Sequence, residues 1–289
     1  MLTIENIIKE VDIFRGYPVK YELLAGGYVN KTYKTVCNDR TYCVRINNLK
    51  QAPFIGLDAN KEAQALHQAS LLSIAPVVYN TDNAKEYLIT EFITGNHLSA
   101  EDMRNPEIIG NFTGALKLIH EKVNVDREFS IYDQFDKYIE TAVTTGMDLP
   151  DGIRRVMTKV EKIHKKRSDS KLLYKVFCHN DTFQNNIIYD KNSIYFIDWE
   201  YCGYGDGFFD FAHIANCIGM ADKEQQLMLK MYFGYYEPEM CEMLRQMKYI
   251  SNVYDATWYI FHACLTDDEE TKHRHLKTGG EKINALSYL

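Results

Sequence analysis

The sequence predicts an α+β fold in two unequal lobes, a small antiparallel-sheet lobe first and a larger, mainly helical lobe after it. Short β-branched and aromatic runs crowd the first ninety or so residues around a single helical segment. After Gly95 the apolar residues recur at helical spacing. A strand-rich island from Leu173 to Trp199 interrupts those helices, which then continue to the last residue. The boundary falls in a short link near Phe92–Gly95, giving an N-terminal lobe at 1–93 and a C-terminal lobe at 94–289. No internal repeat or low-complexity tract is visible.

In the first lobe, Val19 to Leu24, Thr32 to Cys37 and Thr41 to Ile46 read as strands. Asn38-Asp39-Arg40 suits a hairpin turn between the second and third. Asn60 to Leu72 is rich in helix formers, with Ala63, Leu66 and Ala69 on one face. Val77-Val78-Tyr79 and Tyr87 to Phe92 read as two further strands. In the second lobe, Ser99 ahead of Glu101 and Asp102 marks a helix start, because the acids suit the positive end of the helix dipole. That helix carries Ile108, Phe112, Ala115, Leu116 and Ile119 on its apolar face, and further helical patterns cover roughly Ile131 to Val143 and Gly152 to Lys166.

Composition excludes several function classes. A net charge of −7 and a pI near 5.7 argue against nucleic-acid binding, which depends on neutralising phosphates. No apolar run approaches the roughly 18 residues of a membrane span, so no membrane insertion is expected. The start, Met1 to Asn6, lacks the basic and apolar regions of a secretory signal, and Thr3 followed by Glu5 reads as a capped helix start. The seven cysteines are odd in number and form no C-x-x-C pair. That favours small buried thiols in a reducing compartment over a zinc site or a disulfide framework. A cytoplasmic location is the expectation. Oligomeric state is not legible.

The informative stretch runs from Phe177-Cys178-His179-Asn180-Asp181 through Asn186-Ile187-Ile188-Tyr189, and then from Ile194 to Asp198-Trp199-Glu200. Two apolar runs around the polar Asp190-Lys191-Asn192-Ser193 read as a β-hairpin. A turn centred on Asn192 sets Asn186 opposite Asp198, and cross-strand neighbours have Cβ atoms about 5 Å apart. An amide oxygen and a carboxylate so placed suit Mg2+, which takes one or two carboxylates together with substrate phosphates. Asp181, in the loop before Asn186, is placed to accept the proton of an attacking hydroxyl while metal ions neutralise the transferring phosphate.

His179-Asn180-Asp181 through Asn186, followed by Ile197-Asp198-Trp199-Glu200-Tyr201, resembles the choline/ethanolamine kinase family, within the wider aminoglycoside-phosphotransferase-like group of protein-kinase-like fold. Asp210, in Phe209-Asp210-Phe211-Ala212, matches a further landmark of that family; a carboxylate near a helix N-terminus is the alternative reading. The resemblance implies ATP as phosphate donor. It makes Leu24 to Tyr33, with Gly26, Gly27 and Asn30, the nucleotide loop, since glycines let backbone approach phosphate closely. It makes Arg45 the phosphate clamp, Glu62 the partner that holds it, and Glu91 and Ile93 the hinge whose backbone meets adenine. His120 is expected to be structural.

For the acceptor, the resemblance implies a small amino-alcohol, choline first, with Asp181, Glu200, Tyr201, Trp258 and Phe261 at its site. Aromatic faces recognise a quaternary ammonium that cannot donate hydrogen bonds. Trp258 and Phe261, at helical spacing, stand where the family has a pair of tryptophans; a core-facing aromatic pair is the alternative reading. Cys217 stands where many members have a glutamate, which leaves ethanolamine, an aminoglycoside, thiamine or a sugar open as acceptor. A nucleotide-binding module without catalysis is the remaining alternative; Asp181, Asn186, Asp198 and Arg45 are all present against it. No D-F-G or A-P-E sequence supports a protein kinase.

Overall fold

The computed structural model describes residues 2–25, 29–48, 58–82, 84, 86–169, 173–191 and 193–289. Its first part is built on β1 (Val19–Leu23), β2 (Lys31–Cys37), β3 (Arg40–Ile46), β4 (Val78–Thr81) and β5 (Tyr87–Glu91). These pair antiparallel in the order β1-β2-β3-β5-β4. The β2–β3 turn needs two residues, Asn38 and Asp39, both at positive φ. Asn and Asp tolerate that left-handed conformation, which a two-residue hairpin requires of both turn positions. Arg40 is therefore already in the strand.

Strand alternation assigns each sheet residue a face. Val44 and Ile89 turn to one side, where α1 (Ile4–Glu10) lays Ile4 and Ile7 against them. Thr3 caps that helix, its hydroxyl accepting from the Asn6 backbone N–H. On the other side, α2 (Ala59–Leu71) is capped by Asp58 and contributes Ala65, Leu66 and Ala69 to the larger core, which extends into the helical part. Thus α2 joins the two halves through its apolar face. Sequence had put Ala63, Leu66 and Ala69 on that face; of these, Leu66 and Ala69 are core residues.

Past the link at Phe92–Gly95, a short strand β6 (Asn96–His97) pairs with β8 (Ile187–Asp190), which pairs with β9 (Ser193–Phe196). Ser99 and Asp102 do form a reciprocal cap, but over a single 3-10 turn, Asp102–Arg104. The long helix α3 (Pro106–Lys122) starts afresh, with Asn105 as its cap and Pro106 in its first turn. A proline without an N–H fits that position, which explains why the chain restarts there. The helices α4 (Ile131–Thr144), α5 (Ile153–Ser168), α6 (Phe208–Cys217), α7 (Asp222–Phe233), α8 (Pro238–Leu265) and α9 (Glu269–Leu286) complete the lobe. Among the described residues, no helix is long and apolar enough to cross a membrane.

The strand island also holds β7 (Lys175–Cys178), which pairs with a strand not expected from sequence, β10 (Gly203–Asp206). Gly-Tyr-Gly-Asp has little strand propensity. Its place is set by tertiary partners: Phe129 N–H donates to the Tyr204 carbonyl, and Tyr204 N–H to that of Arg127.

The β8–β9 register corrects the expected one. Ile187 faces Phe196 and Asp190 faces Ser193, so only two residues lie in the turn. Loop length sets hairpin register, and the shorter turn pairs Asn186 with Ile197 rather than with Asp198. The Ile197 N–H indeed donates to the Asn186 carbonyl. Asn192, the expected turn centre, lies outside the described residues.

The link between the halves is tightly packed. A Cβ on Gly95 would stand 2.6 Å from the Tyr189 carbonyl oxygen and 2.7 Å from Ile188 Cγ2. Gly95→Ala is therefore expected to lower stability by about 1–3 kcal/mol in denaturant titration. An unchanged midpoint would mean that the link yields freely.

Candidate active site

A cleft of about 410 Å³ lies between the sheet and the helical part. It is lined by Asn30, Arg45, Asp181, Asn186, Asp198, Glu200 and Tyr201, and, from helices α6 and α8, by His213, Cys217, Tyr254, Asp255 and Trp258. The loop that carries Asp181 is held from below by one residue. Asp210, fully buried in the first turn of α6, accepts the backbone N–H groups of His179 at 2.9 Å and Asn180 at 2.8 Å. Its carboxylate also meets His120 Nε2 at 3.0 Å, and its carbonyl accepts the Thr182 hydroxyl. Burial alone would raise its pKa, but His120 and the backbone N–H of His179 outweigh that and hold it below the usual carboxylate range. His120 is thus structural, as expected.

Asn180 takes a left-handed φ of 62°, which turns the chain sharply ahead of Asp181. Its side-chain amide donates to the carbonyls of Tyr201 and Gly203, tying the loop to the segment after β9. His179 does the same by another route. Its Nε2 lies 3.1 Å from the Ile197 carbonyl, and burial keeps its pKa below the ordinary value, so the neutral ring donates there. Asp198 follows at φ 62°, another left-handed Asx residue.

Asp181 and Asn186 meet directly: the Asn186 amide donates to Asp181 Oδ2 at 2.7 Å and to its carbonyl at 3.1 Å. That leaves the amide oxygen of Asn186 for a cation. Burial pushes the Asp181 carboxyl up to about 7, with Asp198 and Asp255 adding to the effect and His213 and Asn186 opposing it.

On the sheet side, Arg45 reaches Glu62 at 2.6 Å, Asp198 Oδ1 at 3.0 Å and Asn47 Oδ1 at 2.8 Å. Glu62 belongs to α2, so the arginine links strand, helix and the loop that carries Asp198. Burial works against its charge, but Glu62, Asp198 and Glu200 outweigh that and push its pKa up. Burial and the Asp198 charge raise the Glu200 carboxyl well above its ordinary range, and Asn30 donates to it at 3.3 Å. One oxygen of Asp198 remains for a cation, and its side chain is 36% exposed. An amide oxygen and a carboxylate on one wall of an acid-rich cleft match the hard oxygen set that magnesium takes.

Not every predicted site residue is here. Gly26 and Gly27 lie outside the described residues. Glu91 and Ile93 sit at the end of β5 and in the link, beyond the residues that line this cleft. Phe261 is a correction. It is 2% exposed and stacks on Tyr138 with ring centres 4.5 Å apart, so it belongs to the core. The helix α8 turns 254, 255 and 258 to the cleft instead. Trp258 does line it, as does Cys217. His213, Tyr254 and Asp255 were missed. Helical spacing could have found two of them, since Asp255 lies three residues before Trp258 and His213 three after Asp210.

A carboxylate at Asp181, an amide–carboxylate pair and a clamped arginine face one cleft under an antiparallel sheet, the arrangement of a small-molecule kinase of protein-kinase-like fold. The choline/ethanolamine kinase family matches residues 21–272, and the chain belongs to that family. Among its relatives is the LicA homologue of Mycoplasma capricolum, 28% identical over 159 residues, or 53% of this chain and 60% of the relative. The chain thus matches less than two thirds of that protein's length. Among solved structures, a choline/ethanolamine kinase family protein from Mesorhizobium loti superposes with a TM-score of 0.81 at 18% identity, covering 98% of this chain and 93% of that one. The choline kinase LicA from Streptococcus pneumoniae gives 0.78 at 19% identity, covering 97% and 99%.

Asp210→Asn removes the charge that the two N–H groups and His120 face. It is expected to cost on the order of 3 kcal/mol, as for one partner of a buried charge network, in chemical denaturation. A loss below about 1 kcal/mol would show that the loop holds its shape without it.

Proposed function

We propose that this protein transfers the γ-phosphate of ATP to the hydroxyl of a small amino-alcohol, with choline the first acceptor to test. The observation that carries this is the convergence of Asp181, Asn186, Asp198 and Arg45 on one cleft that Tyr201, Tyr254 and Trp258 also line. In this reading Asp181 is the base and Arg45, held by Glu62, clamps a phosphate. Asn186 and Asp198 would hold magnesium, which would neutralise charge on the transferring group. The lobe at 1–93 holds the nucleotide, with Gly26, Gly27 and Asn30 at its phosphates and Glu91 and Ile93 at its base. The lobe at 94–289 supplies catalysis and the acceptor site.

Asp181 takes the hydroxyl proton as the oxygen attacks phosphorus. Asn186 fixes Asp181 Oδ2, which leaves Oδ1 to face the acceptor. The acceptor's cationic end lies against Tyr201, Tyr254 and Trp258, whose faces attract it. Ethanolamine is the second reading, and two observations favour it. Phe261 is withdrawn into the core, leaving one tryptophan at the site, and Asp255 brings a carboxylate that a primary ammonium can pair with.

An acceptor panel of choline, ethanolamine, an aminoglycoside, thiamine and a sugar, followed by ADP release with magnesium, tests the proposal. Turnover with choline or ethanolamine is expected, and Asp181→Ala is expected to lower it by about 10²–10⁴. Nucleotide binding with no acceptor-dependent ADP release would leave the non-catalytic reading in its place.

The two aromatic positions on α8 should separate cleanly. Trp258→Ala is expected to raise the acceptor KM roughly tenfold, the loss of one desolvated cation–π contact. Phe261→Ala should instead cost about 3–5 kcal/mol of stability with the acceptor KM little changed. The reverse pattern in steady-state kinetics would return Phe261 to the site.

A further inference from the structure

We propose that His213, steadied by Asp255, is a second catalytic residue that donates a hydrogen bond to the attacking hydroxyl and holds it against Asp181. The inference rests on the kinase reading above and deepens it. Two distances carry it. His213 Nε2 lies 3.3 Å from Asp255 Oδ1, and Nδ1 lies 3.8 Å from Asp181 Oδ1. The second is too long for a hydrogen bond. The His213 side chain is 3% exposed, and its Nδ1 is buried without a hydrogen-bond partner among the described residues.

A buried nitrogen left unpaired is destabilising, so one that persists at the wall of a cleft points to a ligand atom. The spacing says which. An oxygen about 2.8 Å from each of two atoms 3.8 Å apart closes a triangle without strain. Such an oxygen would sit beside the Asp181 oxygen that Asn186 leaves unoccupied.

The surroundings fix the ring and its charge. Phe183, Phe209 and Tyr254 pack around it with ring centres 5.5–6.3 Å away. The charged groups that act on it are Asp181 and Asp255, with Asp210 behind. Burial lowers its pKa, but those carboxylates more than offset this and raise it, which favours the ring with a proton on both nitrogens. Nε2–H is directed to Asp255, and Nδ1–H is left for the acceptor.

The step balances with His213 unchanged. The hydroxyl donates its hydrogen to Asp181 Oδ1, accepts from Nδ1–H with one lone pair, and attacks the γ-phosphorus with the other. The new O–P bond forms, the bond from phosphorus to the β-side oxygen breaks, and ADP leaves. The hydroxyl proton ends on Asp181.

The test uses His213→Leu, His213→Gln and Asp255→Asn in the full chain, with the best acceptor from the panel and a separate titration of magnesium-ATP. We expect His213→Leu to lower acceptor kcat/KM by about 10², as for loss of one preorganised donor, with nucleotide Kd within about twofold. Glutamine, which keeps an N–H donor, should recover about tenfold of that loss, and Asp255→Asn should cost about tenfold. Should leucine cost the fold, the glutamine and asparagine variants carry the comparison. Kinetics within about threefold of the parent, a glutamine variant no better than leucine, or a parallel loss of nucleotide affinity would overturn the role. A parent chain that binds nucleotide but turns over no acceptor would overturn the kinase reading itself, and this inference with it.

Discussion

The site depends on one buried carboxylate. Asp210 has no exposed surface, and a bare charge in such a place would cost several kcal/mol. It is tolerated because two backbone N–H groups and an imidazole point at it. The dependence runs both ways. His179 and Asn180 cannot make their sharp, left-handed turn and also pair their N–H groups with a strand, so an acceptor must come from elsewhere. Asp210 is that acceptor, and through it the position of Asp181 is referred to helix α6 rather than to a loop. His179 and Asn180 then pass the constraint on, one to the Ile197 carbonyl and the other to Tyr201 and Gly203. Asp181, Asp198 and Tyr201 are thereby placed by one framework.

Arg45 is the corresponding device on the sheet side of the cleft. A guanidinium with fixed donors can serve Glu62, Asp198 and Asn47 together without losing its charge. Its partners come from α2, from the segment after β9 and from the end of β3, so it couples the sheet to the loop that carries Asp198. The carboxylates gathered here outnumber the cations within reach, and Glu200 responds by holding its proton more tightly. A cleft so charged gains from a divalent cation and from a cationic acceptor, and that electrostatic surplus unites the two halves of the proposed reaction.

How much of this was legible follows from how far apart in sequence each contact is. The sheet hairpin and the loops at Asp181 and Asp198 are short segments whose backbone is nearly dictated: Asn38-Asp39 in a tight turn, and Asn180 and Asp198 at left-handed positions that few side chains accept. There the residue types announce the geometry. The hairpin register was off by one because the polar run from Asp190 to Ser193 does not say whether two or three residues turn, and a one-residue slip moves every partner. Ser99 was read as the start of a long helix, and Pro106, a sharper signal of a first turn, was passed over. β10 was not legible at all, since nothing in Gly-Tyr-Gly-Asp favours a strand until Phe129 and Arg127 are beside it.

The acceptor wall was least legible, and the reason is physical. A long helix such as α8 is apolar on most of its circumference because it packs against α4, α6 and α9. Spacing alone then cannot say which aromatic residue faces the core and which the cleft. Trp258 and Phe261 are three residues apart, yet one lines the cleft and the other stacks on Tyr138. Polar residues on such a helix are the better guide, because a carboxylate seldom faces a core without a partner. Asp255 marks the face that opens on the cleft, and the residue it reaches across the gap is His213. The helical wall of the cleft is therefore marked by its polar residues, whereas the loops at Asp181 and Asp198 are marked by the backbone that they must adopt.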